Sequence, residues 1–208
     1  MKQPGKRPGR VPKGEYGYFS SEKKRRALIT VALFILPILV LIIGLVYYKT
    51  RNNVLTVLCI VGCLPGCRSI VNLIMILKCR PMDKDLYEKI RAHQGNLEMA
   101  YEMFLTFYEK NTYIDALAVC GNEVVLYTHD QNADVQYVEQ NTQKIIRKNG
   151  YKVTVHLQKN PDQFLLRLDS MNAHMDSLRE GIKFTPDEKY PELTREELIK
   201  HTFLALCL

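Results

Sequence analysis

The sequence predicts a membrane α-helical hairpin of two transmembrane helices, followed by a small cytoplasmic α+β domain. Two apolar runs, residues 27–48 and 54–77, each reach the roughly 20 residues that a helix needs to cross a bilayer. The five residues between them, 49–53, are polar and too few to form a domain. The remainder, about 130 residues, shows strand and helix periodicities and is long enough for one hydrophobic core.

The chain divides into four predicted parts. They are a basic, disordered tail over residues 1–26, the hairpin over 27–77, a linking helix within 78–98 and the α+β domain over 99–208. The tail is rich in Gly, Pro, Lys and Arg, so it cannot bury a core. Its excess of basic over acidic residues equals the net charge of the whole chain, +7. We expect the cations next to the first run to face anionic lipid: Lys23, Lys24, Arg25 and Arg26.

The same charges predict the orientation. Lys and Arg accumulate on the cytoplasmic side of membrane helices, and the basic tail outweighs the two cations of the connector. Lys78, Arg80 and Lys84, which follow the second run, favour the same side. We therefore expect an integral protein of the plasma (inner) membrane with both termini in the cytoplasm. The long basic region argues against a cleaved signal peptide. Nucleic-acid binding is not expected, because the tail adjoins lipid and lacks aromatic stacking residues.

A face of small residues distinguishes the second run. Cysteines recur every four residues and so share one helix face, with two glycines beside them: Cys59, Gly62, Cys63, Gly66 and Cys67. Because small residues let a second helix approach closely, we predict that this face packs against the first run, a second copy of the chain or another membrane protein. Three thiols would also suit Cu(I), which leaves a metal-handling or transport role as an alternative. The outer two thiols are about 12 Å apart along the helix axis, too far to close on one ion.

The one charge inside either run is Arg68, and Asn72 lies one turn further on. An ionisable residue at membrane depth is by default a functional hypothesis. No acidic residue of the first run opposes Arg68, so we favour a side chain that extends toward the lipid headgroups. Pro65 and Gly66, just before it, predict a break in the helix.

Behind the hairpin the predicted order of elements is α-β-β-β-α-β-α-α. A two-residue hairpin signal at Gly121-Asn122 joins two of the strands. A capping box, Thr194 with Glu197, begins the last helix, which we expect to pack on its own domain. The predicted elements are a linking helix over 83–93, strands over 100–108, 112–120 and 123–128, a helix over 134–149, a strand over 151–157, a helix over 161–181 and a helix over 195–207.

This element order, over residues 83–180, resembles the core of restriction-endonuclease-like nucleases. That superfamily places an acid on its second strand and a Glu-x-Lys pair on its third, which hold Mg²⁺ and position water. The resemblance implies Asp115 for the first place and Glu123 for the second. The third strand has no lysine, however, and Val125 stands two residues after Glu123. The implied metal site is incomplete, so this alternative is a degenerate nuclease-like domain tethered to the membrane.

The histidines add one candidate, His129, which Asp130 could orient as a general base. The sequence contains no HExxH, P-loop, GxGxxG or GxSxG motif. We therefore assign no catalytic, cofactor-binding or metal-binding residue. The sequence favours a non-enzymatic, membrane-anchored protein whose α+β domain is an interaction or regulatory module. Its expected partners are anionic membrane lipid and, through the second run, a second copy or another membrane protein.

Overall fold

The computed structural model describes residues 11–48, 54–107, 109–182, 184 and 190–207, so the polar connector at 49–53 lies outside the described residues. The chain forms two compact units. One unit, Phe19–Pro81, holds two long apolar helices. The other combines the residues up to Tyr18 with those from Met82 onward, and it holds a mixed four-stranded sheet with helices. This confirms the coarse prediction of two apolar helices near the N-terminus and a small α+β region.

The two apolar helices, α1 (Tyr18–Tyr48) and α2 (Val54–Lys78), are long and apolar enough to cross a membrane. Both continue through an internal proline, so the break predicted at Pro65 is wrong. A proline removes one backbone hydrogen bond, and the turns on either side keep the remaining ones. Two side-chain bonds pair the helices: Arg26 Nη1 donates to the Asn72 carbonyl oxygen at 3.3 Å, and the Thr30 and Ser69 hydroxyl oxygens are 2.7 Å apart.

The α+β unit follows the predicted order with one additional helix. The predicted helix over 161–181 is interrupted at His174, whose φ of −111° and ψ of 21° leave the helical region. The elements are α3 (Lys84–His93), β1 (Glu98–Thr106), β2 (Asn111–Cys120), β3 (Glu123–Tyr127), α4 (Val135–Lys148), β4 (Thr154–Gln158), α5 (Pro161–Ala173), α6 (Met175–Arg179) and α7 (Arg195–Leu206).

The sheet has strand order β1-β2-β3-β4 and buries both of its faces. The first three strands are antiparallel neighbours, and β4 is parallel to β3 because α4 carries the chain back across the sheet. One face packs on α4 and α7, where Ile146 and Phe203 are fully buried. The opposite face packs on α5, near α3, where Phe164 and Ile90 are fully buried. The last helix thus packs on its own domain, as predicted.

Residues 11–17, which we call the N-terminal strap, belong to the α+β unit. The Tyr101 N–H of β1 donates to the Gly14 carbonyl oxygen at 2.8 Å. Lys13 Nζ donates to the Cys207 carbonyl oxygen at 2.8 Å, just beyond the end of α7. The described part of the predicted disordered tail is therefore ordered: the strap lies on β1, and the residues after it begin α1.

A glycine turn and an aromatic stack hold the strap in place. Gly14 has a φ of +86°, which glycine adopts without strain. A Cβ at Gly14 would lie 2.8 Å from a methyl carbon of Leu204, so the close approach also requires glycine. The Tyr16 ring stacks on the Tyr87 ring with centroids 4.1 Å apart. The composition of this segment predicted disorder. Glycine and proline are also the residues from which ordered turns are built, which is why that prediction is wrong for the strap.

Side chains of α4 meet backbone groups at the other edge of the sheet. The Leu157 N–H of β4 donates to Glu139 Oε1 at 2.8 Å. The Val153 carbonyl oxygen, just before β4, accepts from Gln143 Nε2 at 2.9 Å. Exposed strand edges invite pairing with other chains, and such capping opposes it. The strap on β1 and the α4 side chains on β4 together cover parts of both edges.

Candidate functional site

The two glycines of the predicted packing face lie against the first helix. A Cβ built on Gly62 would be 3.4 Å from the ring of Pro37. A Cβ built on Gly66 would be 2.8 Å from the ring of Phe34, closer than real side chains allow. α1 therefore occupies the glycine half of the face, and the close approach depends on the missing side chains.

The three cysteines of the same face are distributed from the inside of the pair to its outside. Cys59 is buried, Cys63 is half-buried and Cys67 is exposed, and none forms a disulfide. Within the described residues, no three His, Cys, Asp or Glu side chains are grouped so that they could hold a metal ion. The three thiols therefore do not meet at one point.

Arg68 and Asn72 both lie exposed on α2. The backbone carbonyl of Asn72 accepts the bond from Arg26, and the Asn72 side chain is exposed. No hydrogen bond or ion pair joins Arg68 to another residue of the described part of the chain. The structure therefore places these two polar residues on the outside of the helix pair.

The basic cluster before the first apolar run is partly neutralised. Glu22 is buried, and its two carboxylate oxygens accept bonds from Arg25 Nη1 at 2.6 Å and from Arg26 Nε at 3.3 Å. Lys24 is exposed. Two of the four cations expected to face lipid thus hold an acid of their own helix, one turn away. Glu22 stands three and four residues before these arginines, and this helical spacing is the sequence signal for the pairing.

In the α+β unit, His129 pairs with Asp115 of β2 and not with its neighbour Asp130. The backbone N–H of His129 donates to Asp115 Oδ2 at 2.7 Å, and its Nδ1 lies 2.8 Å from the same oxygen. Asp130 instead accepts a bond from the Asn132 N–H at 2.9 Å. The predicted histidine is therefore oriented by an acid, but the acid comes from the adjacent strand.

The electrostatics of this pair follow from its burial. The Asp115 side chain is 2% exposed and the His129 side chain 39% exposed. Burial raises the pKa of Asp115, and the hydrogen bonds and charge of His129 act in the opposite direction. A buried acid that fixes a half-open imidazole could orient a proton acceptor. The same arrangement also anchors the loop after β3, and the Tyr113 ring lies edge-on to the imidazole with centroids 4.9 Å apart.

The structure separates Asp115 from Glu123, the two acids that the nuclease resemblance implies. Glu123 lies opposite Cys120 in the sheet, and Asp115 lies five residues away from Cys120 along β2. Five strand residues span about 17 Å, too far for two ligands of one Mg²⁺ ion. Glu123 is instead paired with Arg167 at 3.0 Å. These two positions do not form a metal site.

A cavity of about 310 Å³ lies beside the start of α7. Its charged lining is already paired: Arg179 Nη2 donates to Glu196 Oε2 at 2.6 Å, and the Gly121 N–H donates to Glu196 Oε1 at 2.7 Å. Burial acts to raise the pKa of Glu196, but these bonds together hold it below its ordinary value. Arg195 donates to Asn122 Oδ1 at 2.7 Å. The network joins α6, α7 and the β2–β3 turn, and no sequence motif indicated it.

Comparison of the chain with protein families, curated proteins and solved structures finds no match. The observed element order agrees with the order on which the nuclease resemblance was based. A function for the domain must nonetheless be argued from its residues, because a fold alone does not imply an activity.

We predict that Gly66→Leu weakens the helix pair. The added side chain would meet the Phe34 ring, and such overpacking costs about 1–3 kcal/mol. Thermal unfolding of the full chain in detergent should show a lower midpoint. Cys67→Leu, at the exposed neighbouring position, is the matched control and should leave the midpoint unchanged.

A compensating change makes this test specific. Phe34→Ala removes the ring that the new leucine would meet, so it should restore part of the stability of Gly66→Leu. If the double variant is as unstable as the two separate losses combined, the proposed contact between Gly66 and Phe34 is wrong.

We predict a pH dependence that belongs to Asp115. Its folded-state pKa is raised above the ordinary value of 3.8, so it stabilises the fold fully below about pH 3.8. This contribution is lost as pH rises through the folded-state pKa. Chemical unfolding of the full chain, measured across acidic pH, should show this fall in the free energy of unfolding. Asp115→Asn should lack it.

A variant of His129 tests whether its bonds lower the pKa of Asp115. Its bonds to Asp115 lower the pKa of that acid, so His129→Ala should extend the fall to higher pH. An identical pH profile for the wild type and Asp115→Asn would show that Asp115 does not titrate differently in the folded and unfolded states.

Proposed function

We propose that this chain is an integral membrane protein with two spans, whose cytoplasmic α+β domain acts as an interaction or regulatory module. The observation that carries the membrane assignment is the exterior of the helix pair. Its large aliphatic side chains point away from the pair, and Leu28, Leu36 and Leu64 are 72%, 69% and 65% exposed. Soluble proteins rarely leave contiguous apolar surfaces of this kind open to water.

The interior of the pair supports the same proposal. The helices meet through glycines and through the Thr30–Ser69 hydroxyl pair. Membrane helices associate in this way, by close backbone approach and bonds between small polar side chains, because lipid provides no hydrophobic drive for their contact. A buried helix of a soluble domain would have the opposite distribution, with its aliphatic residues inside.

The N-terminal strap supports an even number of membrane crossings. Residues 11–17 precede α1 and residues from Met82 follow α2, yet both fold into the same unit. A folded unit lies on one side of a bilayer, so a chain that leaves it and returns must cross twice or not at all. The even number of crossings follows without the charge pattern. The positive residues then favour the cytoplasm as the side on which the domain lies.

Three features of the α+β domain favour binding over catalysis. The acids Asp115, Glu123 and Glu196 are each engaged by a residue of another element. The two acids of the implied nuclease metal site lie about 17 Å apart, one on β2 and one on β3. The sheet edges are partly covered, so a partner would meet mainly helices and loops. We therefore propose that the domain recognises another protein at the membrane.

Membrane embedding has a direct test, because the chain contains no tryptophan. In Ile60→Trp the indole would lie near the bilayer centre, on an exposed face of α2. In Leu77→Trp it would lie near the end of that helix. In vesicles of chain-brominated phosphatidylcholine, we expect strong quenching for Ile60→Trp and weak quenching for Leu77→Trp. Absence of quenching for both would contradict embedding.

The interaction role has a separate test. We expect the full chain to co-purify with a membrane protein at a fixed ratio in mild detergent, after crosslinking in native membranes. The matched control keeps α1 and α2 but replaces the α+β domain with an unrelated soluble domain. This control should lose the partner. If the control retains the partner, the helices and not the domain recognise it.

A further inference from the structure

The pairing of α1 with α2 assigns a membrane depth to positions on α2, and this step rests on the proposed embedding. On α1, Arg26 is the last of four consecutive cations, and residues 27–48 after it are uncharged. Arg26 therefore marks the level at which α1 enters the apolar layer. Its guanidinium bonds the Asn72 carbonyl oxygen, so Asn72 lies at that same level on α2.

The remaining contacts keep this register. Thr30 lies beside Ser69, and Phe34 lies beside Gly66. Moving four residues up α1 moves the contact about three residues down α2, as expected for two antiparallel helices. Residues 73–78 of α2 therefore extend beyond the apolar layer on the cytoplasmic side, and the layer begins near Asn72.

Arg68 is then one helical turn inside the apolar layer. Four residues rise about 6 Å, a distance that an extended arginine side chain spans. The position lies near the middle of the helix Val54–Lys78, but the register places it near the cytoplasmic boundary. Its guanidinium can thus reach the level of the lipid phosphates.

The direction of Arg68 is set by the helix period. Gly66 and Ser69 face α1, and Arg68 is two residues from Gly66, about 200° around the helix. Arg68 is exposed, and its side chain bonds no other residue in the described part of the chain. Asn72, four residues on, lies on the same face with an exposed side chain. A guanidinium with five N–H donors and an amide thus share the lipid side of α2.

We infer that Arg68, together with Asn72, binds the phosphate of a phospholipid in the cytoplasmic leaflet. A guanidinium binds phosphate through two parallel N–H···O bonds, and the Asn72 amide can add a third donor. A carboxylate from another helix is the competing acceptor. A second copy cannot supply it at this depth, because neither apolar run contains Asp or Glu. Glu22, the nearest acid of α1, already holds Arg25 and Arg26.

The test is lipid retention by the full chain. The protein is reconstituted in nanodiscs of equal parts phosphatidylglycerol and phosphatidylcholine, and native mass spectrometry counts the lipids that remain bound after release. We expect Arg68→Leu to reduce retention of the most tightly held phosphatidylglycerol about ten-fold or more, as for loss of one charged hydrogen bond. Arg68→Lys keeps the charge without the paired donors and should retain an intermediate amount.

Arg147→Leu is the matched control, since it removes an exposed arginine of α4 in the α+β unit and should retain lipid as the wild type does. Equal retention by Arg68→Leu and the wild type would overturn the inference. So would loss of a co-purifying protein from Arg68→Leu with lipid unchanged, because the acceptor would then be a helix of that protein. If Ile60→Trp is quenched by brominated lipid, either result rejects only this site; if it is not quenched, the proposed embedding fails first.

Discussion

The contact between the N-terminal strap and β1 is the interaction on which the arrangement of this chain depends. One backbone hydrogen bond, from the Tyr101 N–H to the Gly14 carbonyl oxygen, is reinforced by Lys13 at the end of α7. These bonds make residues on both sides of the helix pair part of a single fold. The pair is therefore an insertion within the α+β domain. The same contact also covers part of the β1 edge, which opposes pairing of that strand with another chain.

Charged side chains are satisfied differently in the two units. Inside the α+β domain, buried acids bond partners from distant elements: Asp115 holds His129, and Glu196 holds Arg179 and the β2–β3 turn. Such pairs are costly to break, because the acid left without its partner would be a buried charge. They fix loops and helices in place, and the acids they engage are not available to bind a ligand. On the helix pair the opposite holds, since Arg68 faces outward where only the surroundings can satisfy it.

Sequence alone predicted what is encoded locally. The apolar runs have the length of a bilayer span, Gly121 has the positive φ that its hairpin turn requires, and Thr194 with Glu197 forms the capping box. What failed depends on contacts distant in sequence. The strap has a disordered composition but gains its order from β1. His129 stands next to Asp130, yet strand register brings it to Asp115. No local signal carries that register, because it is set by the whole sheet.

The discontinuous domain has a consequence for the order in which the protein can be made. The strap leaves the ribosome first, but β1 and α7, which it contacts, follow the two apolar helices. The strap therefore stays without its partners while both helices and the rest of the chain are synthesised. Closing such a distant contact is slow, because the entropy of a long loop is lost before the contact forms. Completion of the domain therefore follows synthesis of both helices. On the proposed embedding, this places folding of the domain after insertion of the helices.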